Sequence, residues 1–239
     1  MGFSTGCAIT TLKEAQQSDP WQGWNKSMQS FNDGFDKHIY KPLAQGYLKI
    51  TNDAVDEAVT NFFSNINDIG VTINDILQLK LLQGGMDISR FIINSTAGIA
   101  GIFDWASKID LPKHDEDFGQ TLGFWGVPSG PYLVLPFFGP STPTDTIGLI
   151  GDALLDPLTY TFFFNSVLAS TVLPLGAAAL DATDYRAGLM TSEKIVDEGT
   201  VGERYDFIKS SYLQHREYVI HDGNLPEENE LMPEDDEPL

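Results

Sequence analysis

Basic residues are scarce in this 239-residue chain: 14 Lys plus Arg stand against 34 Asp plus Glu, a formal net charge of -20 at pH 7 and a pI near 4.2. A protein so acidic repels phosphate backbones, which excludes nucleic acid as a partner. There is one cysteine, Cys7, so no intramolecular disulfide framework and no multi-cysteine metal site can form. Internal repeats and sustained strand alternation are absent, which points to a mainly helical fold. With 42% hydrophobic and 11% aromatic residues the chain can still bury a sizeable core, and its length suits one compact domain or two small ones.

Charge is also absent locally. From His114 to Tyr185 there are 72 consecutive residues without Lys or Arg, and Phe118 to Leu180 contains only Asp145, Asp152 and Asp156. An average composition would put about thirteen charges in that stretch. The same stretch holds ten of the 27 aromatics and seven of the 13 prolines. It is either a deeply buried core threaded by loops or a surface that faces hydrocarbon. The cost of a charge at membrane depth favours the second.

Along the chain, residues 1–18 form a polar lead. The opening MGFSTGC lacks the apolar run of a secretory signal. Ser4, Thr5 and Gly6 directly before Cys7 nevertheless resemble the tail end of a bacterial lipoprotein cleavage site whose hydrophobic part is missing, whereas N-myristoylation would want Ser or Thr where Gly6 stands. Trp21, Trp24, Met28, Phe31 and Phe35 repeat at helical spacing after Asp19-Pro20, with a break suggested at Asn32-Asp33-Gly34. A second helix reads from Asp53, with Val55, Ala58, Val59, Phe62, Phe63 and Ile66 on one face, and a third from Ile69 to a stop at Gly84-Gly85. Asp87 to Trp105 reads as a further helix. Leu122 to Pro143, with five prolines, reads as an irregular loop with an extended piece at Tyr132–Leu135. Pro157 to Leu180 is long enough to span a bilayer, although Pro174 and Asn165-Ser166 argue against it. Helices follow near Ser192–Glu198 and Glu203–Ile220. Beyond Arg216 come nine acids and no Lys or Arg, the composition of a disordered acidic tail over 221–239.

Catalytic patterns fail on inspection. Gly126-Val127-Pro128-Ser129-Gly130 misplaces its serine for a nucleophile elbow and carries a proline in the turn. His114-Asp115-Glu116-Asp117 lacks a second ligand at helical spacing and reads as a solvated loop. Gly119, Gly123 and Gly126 are too widely spaced for a phosphate cradle and read as turn glycines. His215 reads as a helix-surface residue. An acidic helical protein with an apolar, proline-broken middle favours lipid handling over catalysis.

Several strings together resemble the MlaA (VacJ) family of Gram-negative outer-membrane lipoproteins. They are Asp19-Pro20 through Gly23-Trp24-Asn25, Phe31-Asn32-Asp33, Lys41-Pro42-Leu43-Ala44 with Gly46-Tyr47, Asn61 to Asn65, Asn74 to Gln78, Arg90 to Thr96, and Phe103-Asp104. The most specific is DFGQTLGFWGVPSGPYLVLPFFGPS, from Asp117 to Ser141. The resemblance runs from residue 19 to about 220. It implies a single mainly α domain over 19–220, a ring-like assembly of amphipathic helices lying in the outer membrane on its periplasmic side. Such a protein removes mislocalised phospholipids from the outer leaflet through an amphipathic channel. Its implied partners are phospholipid, a trimeric porin, and the periplasmic carrier MlaC. Cys7 would carry the lipid anchor, and no cofactor is implied. Asn25, Phe31 and Asn32 become candidates for the channel mouth, and Phe91, Asn94, Gly123, Trp125 and Tyr132 for its lining. The competing reading is a scaffold that binds porins and lipids without transporting them.

Overall fold

The computed structural model describes residues 19–163, 173–199 and 204–224. Cys7 with the rest of the lead, Asn165-Ser166 and the tail from residue 225 lie outside the described residues.

Helix α1 (Gln22–Phe35) does not break at Asn32-Asp33-Gly34. It loosens into one π-helical turn at Asp36–Tyr40 and continues as α2 (Lys41–Ile50), with Pro42 in the first turn, where a missing N–H is tolerated. The Asn52 side chain caps α3 (Asp53–Leu77) by accepting from the Val55 N–H at 3.0 Å.

Helix α3 fuses the two helices expected between residues 53 and 77, and its end is not set by glycine. Leu79 takes a left-handed φ of 63°, and the Lys80 N–H donates to the Asp75 carbonyl at 2.8 Å. Gly84 instead faces inward on α4 (Leu81–Thr96), where a Cβ would stand 3.1 Å from that of Asp75. It is what lets α3 and α4 lie close together. The helix expected through Trp105 also stops early, because Ile99, Ala100 and Gly101 all turn to positive φ before the short α5 (Trp105–Lys108).

The loop expected over Leu122–Pro143 holds more structure than its prolines suggest. Asp117 caps α6 (Phe118–Phe124), and an antiparallel hairpin follows, β1 (Leu133–Leu135) with β2 (Gly139–Ser141), pairing Leu133 with Ser141 and Leu135 with Gly139. Here the expected extended piece is present. Thr142 caps α7 (Pro143–Leu155), a 3-10 turn runs over Pro157–Phe163, and α8 (Leu173–Gly199) and α9 (Arg204–Ile220) complete the described chain. None of the helices among the described residues is long and apolar enough to cross a membrane, which removes the spanning reading of Pro157–Leu180 as far as those residues go.

Gly119 and Gly123 are not turn glycines. A Cβ on Gly148 of α7 would lie 2.6 Å from the Gly119 nitrogen, so the α6 and α7 backbones touch there. Of the three glycines expected in turns, Gly126, at φ 84°, does serve one.

Burial is inverted relative to a water-soluble protein. Among the described residues nine apolar side chains are buried against eighteen polar or charged ones, while 35 large apolar side chains stand exposed. The inner face of α3 is Asn65, Asp68, Val71, Thr72, Asn74 and Asp75, and that of α4 is Gly84, Asp87, Arg90 and Asn94. Their outer faces carry Val55, Ile76, Ile88 and Ile92. The apolar clusters are small: Tyr132, Val134, Tyr205 and Leu213 in one, Ala44, Tyr47 and Ala187 in the other.

Candidate functional site

The polar interior is organised in three parts. In the first, Arg90 on α4 reaches Asp104 with Nη2 (3.1 and 3.0 Å) and the Leu111 carbonyl with Nη1 (2.6 Å). Asn94 donates to Asp104 at 2.9 Å and accepts from the Ala106 N–H at 2.9 Å. Burial pushes the Asp104 carboxyl up, but hydrogen bonds from Ser107, Asn94 and Arg90 outweigh it and hold it at about 2.

The second part is a buried acid pair. Asp75 and Asp87 are both fully buried, and burial together with the Asp87 carboxylate pushes the Asp75 pKa well above the carboxylate range. His114 binds Asp87 through Nδ1 at 2.7 Å, so it belongs to this interior and not to a solvated loop. Its sequence neighbours go to other partners, Glu116 to Lys80 (2.8 Å) and Asp117 to Arg216. The acid string therefore forms no common site, and among the described residues no group of three His, Cys, Asp or Glu side chains could hold a metal.

The third part is a seam linking α3, α6 and α7. Gln78 donates to Glu116 (2.8 Å) and Thr121 (3.2 Å), Thr121 donates to Asn74 (2.9 Å), and the Phe118 N–H donates to Asp152 (2.8 Å). This seam borders a cleft of about 600 Å³. Phe63, Ile66, Asn67 and Gly70 of α3 form one wall, and Asp115, Glu116, Asp117 and Gln120 another. Leu149, Asp152 and Ala153 of α7, then Asp156 and Leu158, Phe138 from the hairpin and Asp181 of α8 close it. Such a mixture of apolar walls and convergent polar groups suits an amphiphile.

Burial is the main cause that raises Asp152 to about 6 from a reference of 3.8, with the Asp117 charge adding to it and the Phe118 and Asn74 hydrogen bonds opposing it. A carboxyl whose folded pKa is raised weakens the fold once it must ionise. Stability is therefore unpenalised below about pH 4, falls as pH rises toward 6, and carries the full cost above that. After allowing for its partial exposure the cost is about 1–2 kcal/mol. Asp152→Asn is expected to flatten the decline in urea midpoint between pH 4 and 7; an unchanged slope would remove Asp152 as its source.

None of the eight residues that the resemblance suggests for the channel mouth or lining is among the described residues that line this cleft. Asn25 is fully buried and pins the hairpin, accepting from the Val134 N–H (2.9 Å) and donating to the Tyr132 carbonyl (3.0 Å) and Asp19 (3.1 Å). Tyr132 is fully buried in the small core with Tyr205. Asn94 is consumed at Asp104. A Cβ on Gly123 would stand 2.9 Å from Ile220, so this glycine seats α9. Trp125 is half exposed and donates from Nε1 to the Leu77 carbonyl at 3.0 Å, and Phe91 is partly buried on α4 away from the cleft.

Phe31 and Asn32 do reach the cleft, but indirectly. Asn32 donates to the Leu135 carbonyl (2.8 Å) and accepts from the Phe137 N–H (2.8 Å). Phe31 and Phe35 meet the Phe137 ring edge-on, with centroids at 5.2 and 5.0 Å. The next residue, Phe138, is on the cleft wall. A further signal was available in the sequence: of the three charges surviving in the apolar stretch, Asp152 and Asp156 line the cleft, and Asp145 pairs with Arg216.

Comparison with known proteins gives consistent results. The family model described as MlaA lipoprotein matches residues 17–219. The intermembrane phospholipid transport system lipoprotein MlaA of Shigella flexneri is 30% identical over 230 residues, 94% of this chain and 87% of that one, and that of Escherichia coli K12 matches equally. An uncharacterised protein of Rickettsia felis is 42% identical over 171 residues, covering 70% of this chain and 68% of the relative. A solved structure, from work on the structural basis for maintenance of bacterial outer membrane lipid asymmetry, superposes with a TM-score of 0.71 at 26% identity, over 85% of this chain and 99% of its own. In sequence and in fold alike, the chain belongs to the MlaA lipoprotein family.

Proposed function

We propose that this protein is the outer-membrane lipoprotein of an intermembrane phospholipid transport system, moving phospholipid from the outer leaflet through the cleft beside α3, α6 and α7. The carrying observation is the inverted burial, with a polar, hydrogen-bonded interior inside an apolar exterior. In water that arrangement leaves too much hydrocarbon exposed, whereas in a bilayer the exterior is solvated and the interior supplies the path for a headgroup. The names of the relatives at 30% identity support it. Movement along such a path needs no bond making, so the protein acts as a conduit and not as an enzyme.

Cys7 is the residue we assign to the lipid anchor, which holds the protein on the periplasmic side of the outer membrane. A soluble periplasmic carrier of the MlaC type receives the lipid, and a porin trimer flanks the apolar wall. Phe31 and Asn32 position the hairpin tip that carries Phe138, and so set how open the cleft is.

The test is complementation of a strain lacking its MlaA, using the chain with an export signal ahead of Cys7. Surface-exposed phospholipid, measured by labelling intact cells, is expected to return to the level of unmutated cells. Unchanged exposure, with the protein present in the outer membrane, would overturn the transport reading in favour of the porin-binding scaffold.

A further inference from the structure

We propose that Asp75 and Asp87 hold one proton between them, and that this shared proton, through His114 on the other side of Asp87, fastens the 114–117 segment along the cleft. Loss of the proton frees that wall. Asp75 on α3 and Asp87 on α4 meet where Gly84 brings the two helices together. Among the described residues no N–H or O–H reaches either oxygen of Asp75, although the side chain is fully buried. The polar group within hydrogen-bonding reach is the Asp87 carboxyl, which is itself an acceptor. An ionised Asp75 would bury two acceptors without a donor and set a second negative charge against the first. A proton on Asp75 removes that charge and supplies the missing donor, an O–H aimed at Asp87.

Asp87 is the ionised partner. His114 donates to it from Nδ1–H at 2.7 Å and from the backbone N–H at 3.4 Å. Because the ring and the main chain of one residue are both tied to Asp87, the pair sets where the chain goes next. The following three residues, Asp115, Glu116 and Asp117, line the cleft. The His114 side chain is 25% exposed, so the network reaches the surface and exchanges its proton with water. The neighbouring charges leave Asp75 to that proton. Glu116 adds to the repulsion on it, and Lys80, which opposes that repulsion, bonds Glu116 and Asp222. Along the same seam Lys113 bonds Asp68, and Arg90 bonds Asp104. Burial is the largest cause that raises Asp75, followed by Asp87, so its proton stays bound above the range in which Asp152 loses its own.

The experiment combines infrared spectroscopy, urea unfolding and amide hydrogen exchange on the full-length protein in detergent, titrated into the alkaline range. Once pH has passed the Asp152 step at about 6, a protonated-carboxyl C=O band is expected to remain, to vanish as pH rises further, and to be missing from Asp75→Asn. A carboxyl whose folded pKa lies above its unfolded one makes stability fall as pH climbs toward the folded value, so the urea midpoint of the unmutated protein should keep falling over this range. Asp75→Asn, whose amide donates to Asp87 at every pH, should hold its midpoint level there. Protection of the 114–117 amides, corrected for the intrinsic rate, is expected to drop about tenfold as the band disappears, and to stay constant in Asp75→Asn. His114→Ala cuts the link and not the pair: it should keep the band while protection is low throughout. If Asp75→Asn does not fold, the unmutated protein and His114→Ala still carry the test. A missing band overturns the shared proton, and a band that titrates without a change in protection overturns its hold on the wall. None of these readouts depends on what the cleft carries, so their failure leaves the transport reading standing.

Discussion

Replacing Arg216 with leucine is expected to lower the unfolding free energy by about 3–5 kcal/mol, as for other buried ion pairs that lose one partner. The guanidinium, 12% exposed, is among the described residues the one group that holds α9 to the starts of both α6 and α7 by charge. Nη1 meets Asp117 Oδ2 at 2.5 Å, and Nη2 meets Asp117 Oδ1 at 3.0 Å and Asp145 Oδ1 at 2.6 Å. Burial alone would favour loss of the arginine proton, but the two carboxylates reverse that and raise its pKa further. Without Arg216 two acids face each other beside Tyr212, whose hydroxyl can donate only to Asp145. The measurement is urea unfolding in one fixed detergent. A loss below about 1 kcal/mol would mean that water replaces the arginine without strain. Adding Asp117→Asn and Asp145→Asn to the leucine variant is expected to restore part of the loss, because the three residues act as one unit.

Phe31→Gln is expected to act on transport more than on stability. Phe31 is 45% exposed, so its removal forfeits little burial, but the Phe137 ring loses one of its two aromatic edges. An aromatic contact of this kind is worth about 0.5–1.5 kcal/mol, enough to shift a two-position hairpin several-fold. Adding Asn32→Ala removes two hydrogen bonds to the hairpin and brings the expected shift to about tenfold or more. Phe137 holds a left-handed φ of 69° that these contacts over-determine, so loosening them lets the tip relax. Surface phospholipid in cells should change by a comparable factor, while the urea midpoint moves little. Unchanged lipid exposure in the double variant would remove the hairpin from the transport path.

How legible these features were depended on what each signal measures. Asn52, Asp117 and Thr142 each accept an N–H three residues on, yet only the start at Asp53 was read, from periodicity, while α6 and α7 went unread because the prolines between them suggested a loop. The end of α3 was hidden, since no glycine or proline marks it and Leu79 adopts a conformation that sequence rules assign to glycine. Gly84 misled for the converse reason, being used for a helix contact with a residue nine positions earlier. Periodicity located the apolar faces of α1 and α3 but not what they face, because a spacing pattern is the same whether the medium is a core or a bilayer. Asn25, Asn94 and Tyr132 sit in strings that carry the resemblance, but their polar or aromatic groups make internal contacts; Asp152 was marked by its survival in an apolar stretch, whereas only distances could show that Gln120 is on the cleft wall.

The sparse apolar core has a thermal consequence. The heat capacity of unfolding comes mainly from apolar surface newly wetted when a fold opens, about 12–15 cal/mol/K per residue in water-soluble domains. With only small apolar clusters inside and a detergent or lipid coat already on the exterior, opening this fold wets less hydrocarbon and more amide and carboxylate, which lower the heat capacity. The stability curve should be broad and shallow, with its cold limit pushed far down, so that temperature alone is a weak lever on this protein and the thickness and composition of the surrounding bilayer a strong one.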